Sequence, residues 1–439
     1  MTRERVQGPE VSPSGGCDER IVELSAFVAA PLAGMTLAAL GCDVIRVDPP
    51  GGGLDFHRWP ETPQGESIFW AGLNRGKRSV VIDVRRPEGR ELVAALVVAG
   101  PSGDNTLATP GPVTSPGNTT LVGEHEHGSE PSGGCRGGVL LTNLGATGLL
   151  GHDKLRTQRA DVITVAIEGR RDGRSAVDYT VAAGTGIPML TGPEGHTGPV
   201  NSPLPAWDIA TGLNAALAAR EAIWRRRQTG RGTQVRLALA DVALGLLTSL
   251  GFIDEERAAA HPRTRDGNYL YGAFGRDFEL MDGSRVMVVA ITVKQWRALV
   301  EALDIAAGTG ELERSSGLDF SREGDRWQAR HEIAALVERW CRGHSFEEVK
   351  RVFDEKGVCW GPYDGASSLL SDRGMAAAAS ASGLVREVDL GARFDDEAIN
   401  LAAAPALGQH TEEALAGILG LSAREIGRLC DEGLVGLRR

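Results

Sequence analysis

Between Ile21 and Val84 the chain orders an apolar run, a small-residue segment, a second β-branched run and a basic loop. That order favours a βαβ unit. IVELSAFVAA is an apolar strand ending in small residues, APLAGMTLAALG predicts a helix closed by Gly41, and CDVIRVDPP is a strand stopped by two prolines. Ala29, Ala30, Pro31 and Gly34 build the start of that helix, where backbone N–H groups can approach an anion. The spacing GxGxxG is absent, so a dinucleotide-binding reading has little support. Further on, LNRGKRSVVIDV places Asn74, Arg75, Lys77 and Arg78 just before a strand predicted over 79–84. Such a cluster suits a polyphosphate or is a solvated basic loop. Trp59, Phe69 and Trp70 nearby would wall a flat ring or an extended ligand arm.

At 439 residues the chain is long enough for two domains, and its 42 % hydrophobic content contains no run long enough to span a membrane. MTRERVQGPEVSPSGGCDER carries no apolar signal-peptide core and reads as a frayed leader. Six cysteines, Cys17, Cys42, Cys135, Cys341, Cys359 and Cys430, form no CxxC pair and no metal spacing, which suits reduced thiols in a cytoplasm. A net charge of −11 argues against nucleic acid as the main partner, though not against an anionic ligand held at a local basic site. From 101 to 134 the chain is mostly Gly, Pro, Ser and Thr, and reads as a flexible insertion; its EHEH island is expected in solvent rather than on a metal.

Alternating strands and helices predict an open, parallel-sheet, Rossmann-like α/β domain over 1–225, to which 365–439 returns. A smaller α+β domain is expected over 235–355. Within it, NYLYGAFGRDFELMDGSRVMVVAIT reads as a hairpin turning at Asp282-Gly283, followed by a helix at TVKQWRALVEAL.

The strings SAFVAAPLAGMTLAALGCDVIRVDPPGGG and LNRGKRSVVIDVRRPEGRELV resemble the family III CoA-transferases, the group that includes formyl-CoA transferase, carnitine CoA-transferase and α-methylacyl-CoA racemase. WDIATGLNAALAAREAIWRRRQTGRGTQVRLALADVAL, CWGPYDGASSLLSD and LGQHTEEALAGILGLSAREI carry the resemblance through most of the chain. The wording GGGLDFHRWP, EGRRDGRSAVDYTV, MLTGP, LPAWDIATG and NYLYGAFGRDF is most similar to members that move CoA between the C1 and C4 carboxyl groups of mesaconyl-CoA. The resemblance implies the family's fold, a homodimer interlocked through a long linker helix (here Leu213–Arg227), an acyl-CoA thioester as substrate and no separate cofactor. It implies CoA contacts at Phe27, Val28, Ala29, Leu73, Asn74, Lys77, Arg78 and Asn143. Family members commonly follow that asparagine with a Phe-Arg-like pair, where this chain has Leu144-Gly145.

Moving CoA between carboxyl groups requires a carboxylate that attacks a thioester, forms a mixed anhydride and then accepts the thiolate. By resemblance that group is Asp178. Read from its neighbours alone, Asp before YTVAA is equally a helix N-cap, and the two roles are compatible because a helix start keeps the carboxylate ionised and oriented. Gly184 and Gly186 could offer backbone donors to an oxyanion. Arg170, Arg171 and Arg174 could hold the second carboxylate of a dicarboxylyl substrate, or be surface arginines. Intermolecular transfer to a separate acid would use the same aspartate. Racemisation would need an acid/base partner facing it, for which His152 is the nearest candidate in sequence. A non-enzymatic CoA-binding protein is disfavoured by the presence of Asp178.

Overall fold

The computed structural model describes residues 19–100, 136–145, 147–258, 263–365, 368, 378–379, 386–387, 391–399 and 401–438. The leader, the insertion over 101–134 with its EHEH island, Cys17 and Cys135 lie outside the described residues. The chain divides into two compact units: Met1–Val181 with Leu204–Leu247 and Ala377–Arg439, and Ala182–Pro203 with Thr248–Ala376.

The first unit is built on β1 (Glu19–Leu24), β2 (Asp43–Asp48), β3 (Arg78–Ile82), β4 (Arg136–Thr142), β5 (Ile163–Glu168) and β6 (Thr233–Ala238). With the short terminal strand β14 (Val435–Gly436) these form one sheet in the order β14-β3-β2-β1-β4-β5-β6, parallel throughout except where β14 runs against β3. The inner strands are buried almost without interruption, as a sheet covered on both faces requires. Alternation then sorts the side chains. Ile21, Val44, Val139 and Ile163 pack on α1 (Ala29–Ala39) and α7 (Ala206–Thr229), while Val22, Ile45, Val80 and Leu140 pack on α3 (Pro87–Val98), α15 (Thr411–Leu419) and α16 (Ala423–Asp431). α1 is nearly all small residues and α7 carries Gly212 against it, where a Cβ would stand 2.6 Å from the Ala29 carbonyl oxygen. The expected βαβ opening and the helix over Leu213–Arg227 are present, the latter as part of the 24-residue α7. Between the long elements lie α2 (Ile68–Leu73), α4 (His152–Gln158), α5 (Asp178–Ala183) and α8 (Leu239–Ser249).

The C-terminal return seals the β3 edge, which would otherwise offer open backbone groups. The Ser79 N–H donates to His410 Nδ1 at 3.1 Å, the Val81 N–H to Thr411 Oγ1 at 3.0 Å, and the Gly408 N–H to Ser79 Oγ at 3.0 Å. Two short antiparallel pairs precede it, β10 (Ala378–Ala379) with β11 (Arg386–Glu387) and β12 (Arg393–Phe394) with β13 (Glu397–Ala398).

The second unit holds the antiparallel sheet β7 (Phe274–Glu279), β8 (Arg285–Ala290) and β9 (Cys359–Pro362). Its hairpin turns at Asp282-Gly283 as the sequence predicts, with Gly283 at φ 81° and Asp282 accepting the Ser284 N–H. The helices are α6 (Ile187–Leu190), α9 (Phe252–Ala258), α10 (Val293–Ala302), α11 (Ala306–Ser316), α12 (Glu323–Gln328), α13 (Arg330–Cys341) and α14 (Phe346–Lys356). Phe274, Phe278, Trp296, Phe320 and Phe353 fill the core.

One boundary moves. Residues 235–247, expected in the small domain, belong to the first unit, because β6 is hydrogen-bonded along β5 over six register pairs and α8 follows it directly. The small unit begins at Thr248 and also takes Ala182–Pro203.

Candidate active site

Strand order reverses between β1 and β4, and in open α/β sheets the crevice outside the carboxyl ends of strands at such a reversal receives ligands. Here that crevice is bounded by the turn from β1 into α1, Ser25–Val28, and by Asn143–Gly145 after β4. The turn is fixed from two sides. Asn143 accepts the Ala26 N–H at 2.9 Å and donates to the Ala26 carbonyl at 2.7 Å, while the Phe27 N–H donates to Asp55 Oδ2 at 3.0 Å. Phe27 stands at φ 65°, a strained conformation for a bulky residue, and this turn holds it. Its ring is partly exposed and stacks with the Arg58 guanidinium, which also lies over Phe69.

Asp55 is itself held by the fully buried Arg46, which reaches Asp55 at 2.8 Å and Asp48 at 3.0 Å. Burial opposes charge on Arg46, but Asp48, Asp55 and Glu23 together hold its guanidinium above its ordinary range. Burial pushes the Asp48 carboxyl up despite Arg46. The basic loop feeds this cluster. Lys77 Nζ is fully buried and lies 2.9 Å from both oxygens of Glu23, 2.8 Å from the Pro31 carbonyl and 2.8 Å from Asn74 Oδ1, so its three protons have internal acceptors. Burial pulls it down to about 8 against the attraction of Glu23. Asn74 is likewise buried, bonded to Arg46 and the Trp70 carbonyl, and Arg78 is committed to Asp43 and Glu413. In this structure the Lys77 ammonium and the Asn74 amide are enclosed by carboxylates and carbonyls, while Arg78 keeps part of its side chain exposed. They support the turn from behind. Phe27, Val28 and Leu73 keep exposed surface, and Ala29 is buried at the start of α1.

Asp178 opens α5, ten residues past the end of β5, with its side chain buried. It does not spend that side chain on its own helix. Asp178 Oδ2 accepts the Trp207 N–H at 2.7 Å and the Asp208 N–H at 3.0 Å, amides of the first turn of α7. Pro205 precedes α7 and supplies no side-chain cap, so the carboxylate from α5 takes that place. Among the described residues nothing donates to Oδ1. α7 runs antiparallel to the strands it covers, so its first turn and Asp178 lie at the carboxyl edge of the sheet. Val181 of α5 packs with Leu239 and Ala243 of α8 and against Trp207, fixing the backbone around the carboxylate. Beside it, burial and the charge of Asp178 push the Asp208 carboxyl up to about 6. The sequence signal for Trp207 and Asp208 was present in LPAWDIATG: a proline ahead of a long helix leaves its first amides without a cap.

The other expected residues are placed as follows. Arg171 is exposed and paired with Asp241 at 2.8 Å, and Arg174 with Asp172 at 2.7 Å. Arg170 is half-buried and makes no ion pair among the described residues. Gly184 and Gly186 are exposed and belong to the second unit, Gly186 at φ 80° ahead of α6. Among the described residues the donors that reach the Asp178 carboxylate are the two α7 amides instead. His152 Nδ1 lies 3.0 Å from Thr164 Oγ1, near the amino end of β5, whereas Asp178 follows its carboxyl end. No group of three metal-binding side chains occurs among the described residues, and no described helix is long and apolar enough to cross a membrane.

Compared with known proteins, residues 18–99 and 144–411 match CoA-transferase family III. The chain is 45 % identical over 427 residues to 2-methylfumaryl-CoA isomerase of Chloroflexus aurantiacus, covering 95 % of this chain and 96 % of that protein. It is 29 % identical to the succinyl-CoA–D-citramalate CoA-transferase of the same organism, covering 94 % and 96 %. Among solved structures, a CAIB/BAIF family protein from Brucella suis superimposes with a TM-score of 0.68 at 24 % identity, covering 91 % of this chain and 98 % of that one, a likeness of fold.

Proposed function

The chain belongs to CoA-transferase family III, and from that premise we propose that it moves CoA between the C1 and C4 carboxyl groups of mesaconyl-CoA, the thioester of 2-methylfumarate. The observation that carries this reading is the 45 % identity, across nearly both full lengths, with an enzyme named for isomerising that thioester.

Asp178 is the proposed nucleophile. Its oxygen Oδ1 attacks the thioester carbonyl, giving a mixed anhydride and CoA thiolate; the thiolate then attacks Asp178 Cγ and releases mesaconate, leaving an aspartyl-CoA thioester. The other carboxylate of the same mesaconate attacks Cγ, the thiolate leaves, and it re-adds at C4 to free Asp178. CoA is proposed to lie across the turn at Phe27, Val28 and Ala29, against Leu73 and Asn143, with Arg170 gripping the carboxylate that is not reacting. Retention of the acid follows from that grip, since a held dicarboxylate stands at high effective concentration beside the enzyme thioester. Intermolecular transfer is the competing reading. Racemisation is disfavoured by His152, which is engaged near the far end of β5.

The active form is proposed to be a homodimer in a cytoplasm. Leu213, Leu217 and Trp224 of α7, with Leu244 of α8, expose an apolar face, and Cys341, Cys359 and Cys430 are free thiols. The test of the transfer mode is labelled free mesaconate added during turnover. The proposal expects label to enter the CoA ester pool far more slowly than the two regioisomers interconvert; entry at the isomerisation rate would assign the intermolecular mechanism.

A further inference from the structure

Two carbon centres react in this transfer, the substrate acyl carbon and Asp178 Cγ, and the second is the one whose surroundings the structure fixes. Asp178 Oδ2 is buried against the Trp207 and Asp208 amides at 2.7 and 3.0 Å, which is the spacing an oxyanion hole uses for the oxygen that will carry charge. Oδ1 has no such donors among the described residues. The two oxygens of one carboxylate are therefore chemically unequal before any substrate arrives.

Resting on the reading of Asp178 as nucleophile, we propose that the Trp207 and Asp208 amides in the first turn of α7 form the oxyanion hole for attack at Asp178 Cγ, and that Oδ2 is kept by the enzyme through every turnover while Oδ1 is exchanged with the substrate. When Oδ1 attacks the thioester, Oδ2 becomes the carbonyl oxygen of the anhydride without leaving its two donors. Thiolate addition to Cγ moves the π electrons onto Oδ2, so a full negative charge develops where two N–H groups and the positive end of a 24-residue helix already point. Collapse re-forms the Cγ–Oδ2 double bond and breaks Cγ–Oδ1, and Oδ1 departs in the mesaconate carboxylate. The return half repeats this: a carboxylate oxygen of mesaconate adds to Cγ, charge again rests on Oδ2, thiolate is expelled, and that incoming oxygen stays on Cγ when CoA re-adds at the substrate carbon. The atoms balance with no water and no added proton. Rotation of the carboxylate that exchanged its oxygens would break both hydrogen bonds from the Trp207 and Asp208 N–H groups and leave the first turn of α7 uncapped, which opposes it.

The test uses the unmodified enzyme. Mesaconyl-CoA bearing ¹⁸O in both its thioester carbonyl and its free carboxylate is turned over many times in ordinary water, the substrate is removed, and the peptide containing Asp178 is weighed. Uptake of a single heavy oxygen, unchanged by further turnovers, is the expected result. Uptake of two heavy oxygens would mean that Oδ1 and Oδ2 trade places and would overturn the proposal while leaving Asp178 as nucleophile. Uptake of none, with isomerisation proceeding normally, would overturn the nucleophile assignment itself.

Discussion

Gly34→Ala tests whether the buried charge cluster under the β1–α1 turn is as tightly fitted as its geometry indicates. A Cβ at position 34 would stand 1.7 Å from Glu23 Oε2 and 2.8 Å from Glu23 Cδ. Both are far inside contact distance, so the carboxylate must move. Elsewhere a glutamate could swing aside cheaply, but Glu23 is fully buried, lies 2.9 Å from Lys77 Nζ and accepts the Ser25 hydroxyl at 2.6 Å. Moving it separates a buried ion pair, which costs about 3–5 kcal/mol. Alanine in a helix interior returns about 1 kcal/mol over glycine. The net expectation is a loss of about 2–4 kcal/mol, read as a lower urea midpoint with unchanged slope. The same substitution placed in a chain carrying Glu23→Ala and Lys77→Met, where there is no pair to displace, should be neutral or stabilising by up to about 1 kcal/mol. Equal losses in both backgrounds, or a single variant as stable as the parent, would refute the reasoning.

Two further predictions concern pH. His410 must be neutral for Nδ1 to accept the Ser79 N–H, and burial lowers its pKa below the ordinary 6.5. The stability it contributes is present above about 6.5 and is lost as pH falls through the lower folded value, so urea midpoints of the parent should drop more steeply between pH 7 and 5 than those of His410→Gln. Asp208 is opposite in sign, pushed from 3.8 up to about 6, so its contribution is present below the unfolded value and lost as pH rises through 6. Asp208→Asn should therefore raise thermal stability at pH 7.5 by roughly 1 kcal/mol, discounted for its partial exposure, and change it little at pH 4; equal effects at both pH values would contradict the assignment.

Much of the fold was legible because the signals were local. Ile21 to Val47 carries strand, small-residue helix and β-branched strand in order, and Asp282-Gly283 marks its hairpin by turn chemistry alone. What depended on distant partners was not. The two-residue β14 has no pattern of its own and exists because β3 needs an edge partner. LNRGKRS looks like a phosphate loop, yet Lys77 is spent on Glu23, 54 residues earlier, and only the fold brings them together. From its neighbours Asp178 read as a helix cap, and only the family resemblance made it a nucleophile; in the structure it caps α7 rather than the helix it begins.

The central claim rests on the Asp178 carboxylate. Asn keeps an oxygen that can accept the Trp207 and Asp208 amides but cannot form an anhydride, so Asp178→Asn isolates the chemistry from the cap. Purified parent and variant are incubated with the C1 thioester of mesaconate and no added acid, and the two regioisomers are resolved over time. The account predicts that the parent interconverts them and that Asp178→Asn, folded as the parent by circular dichroism, does not. A variant that still isomerises at a substantial fraction of the parent rate, or a parent that leaves the C1 thioester unchanged, would contradict it.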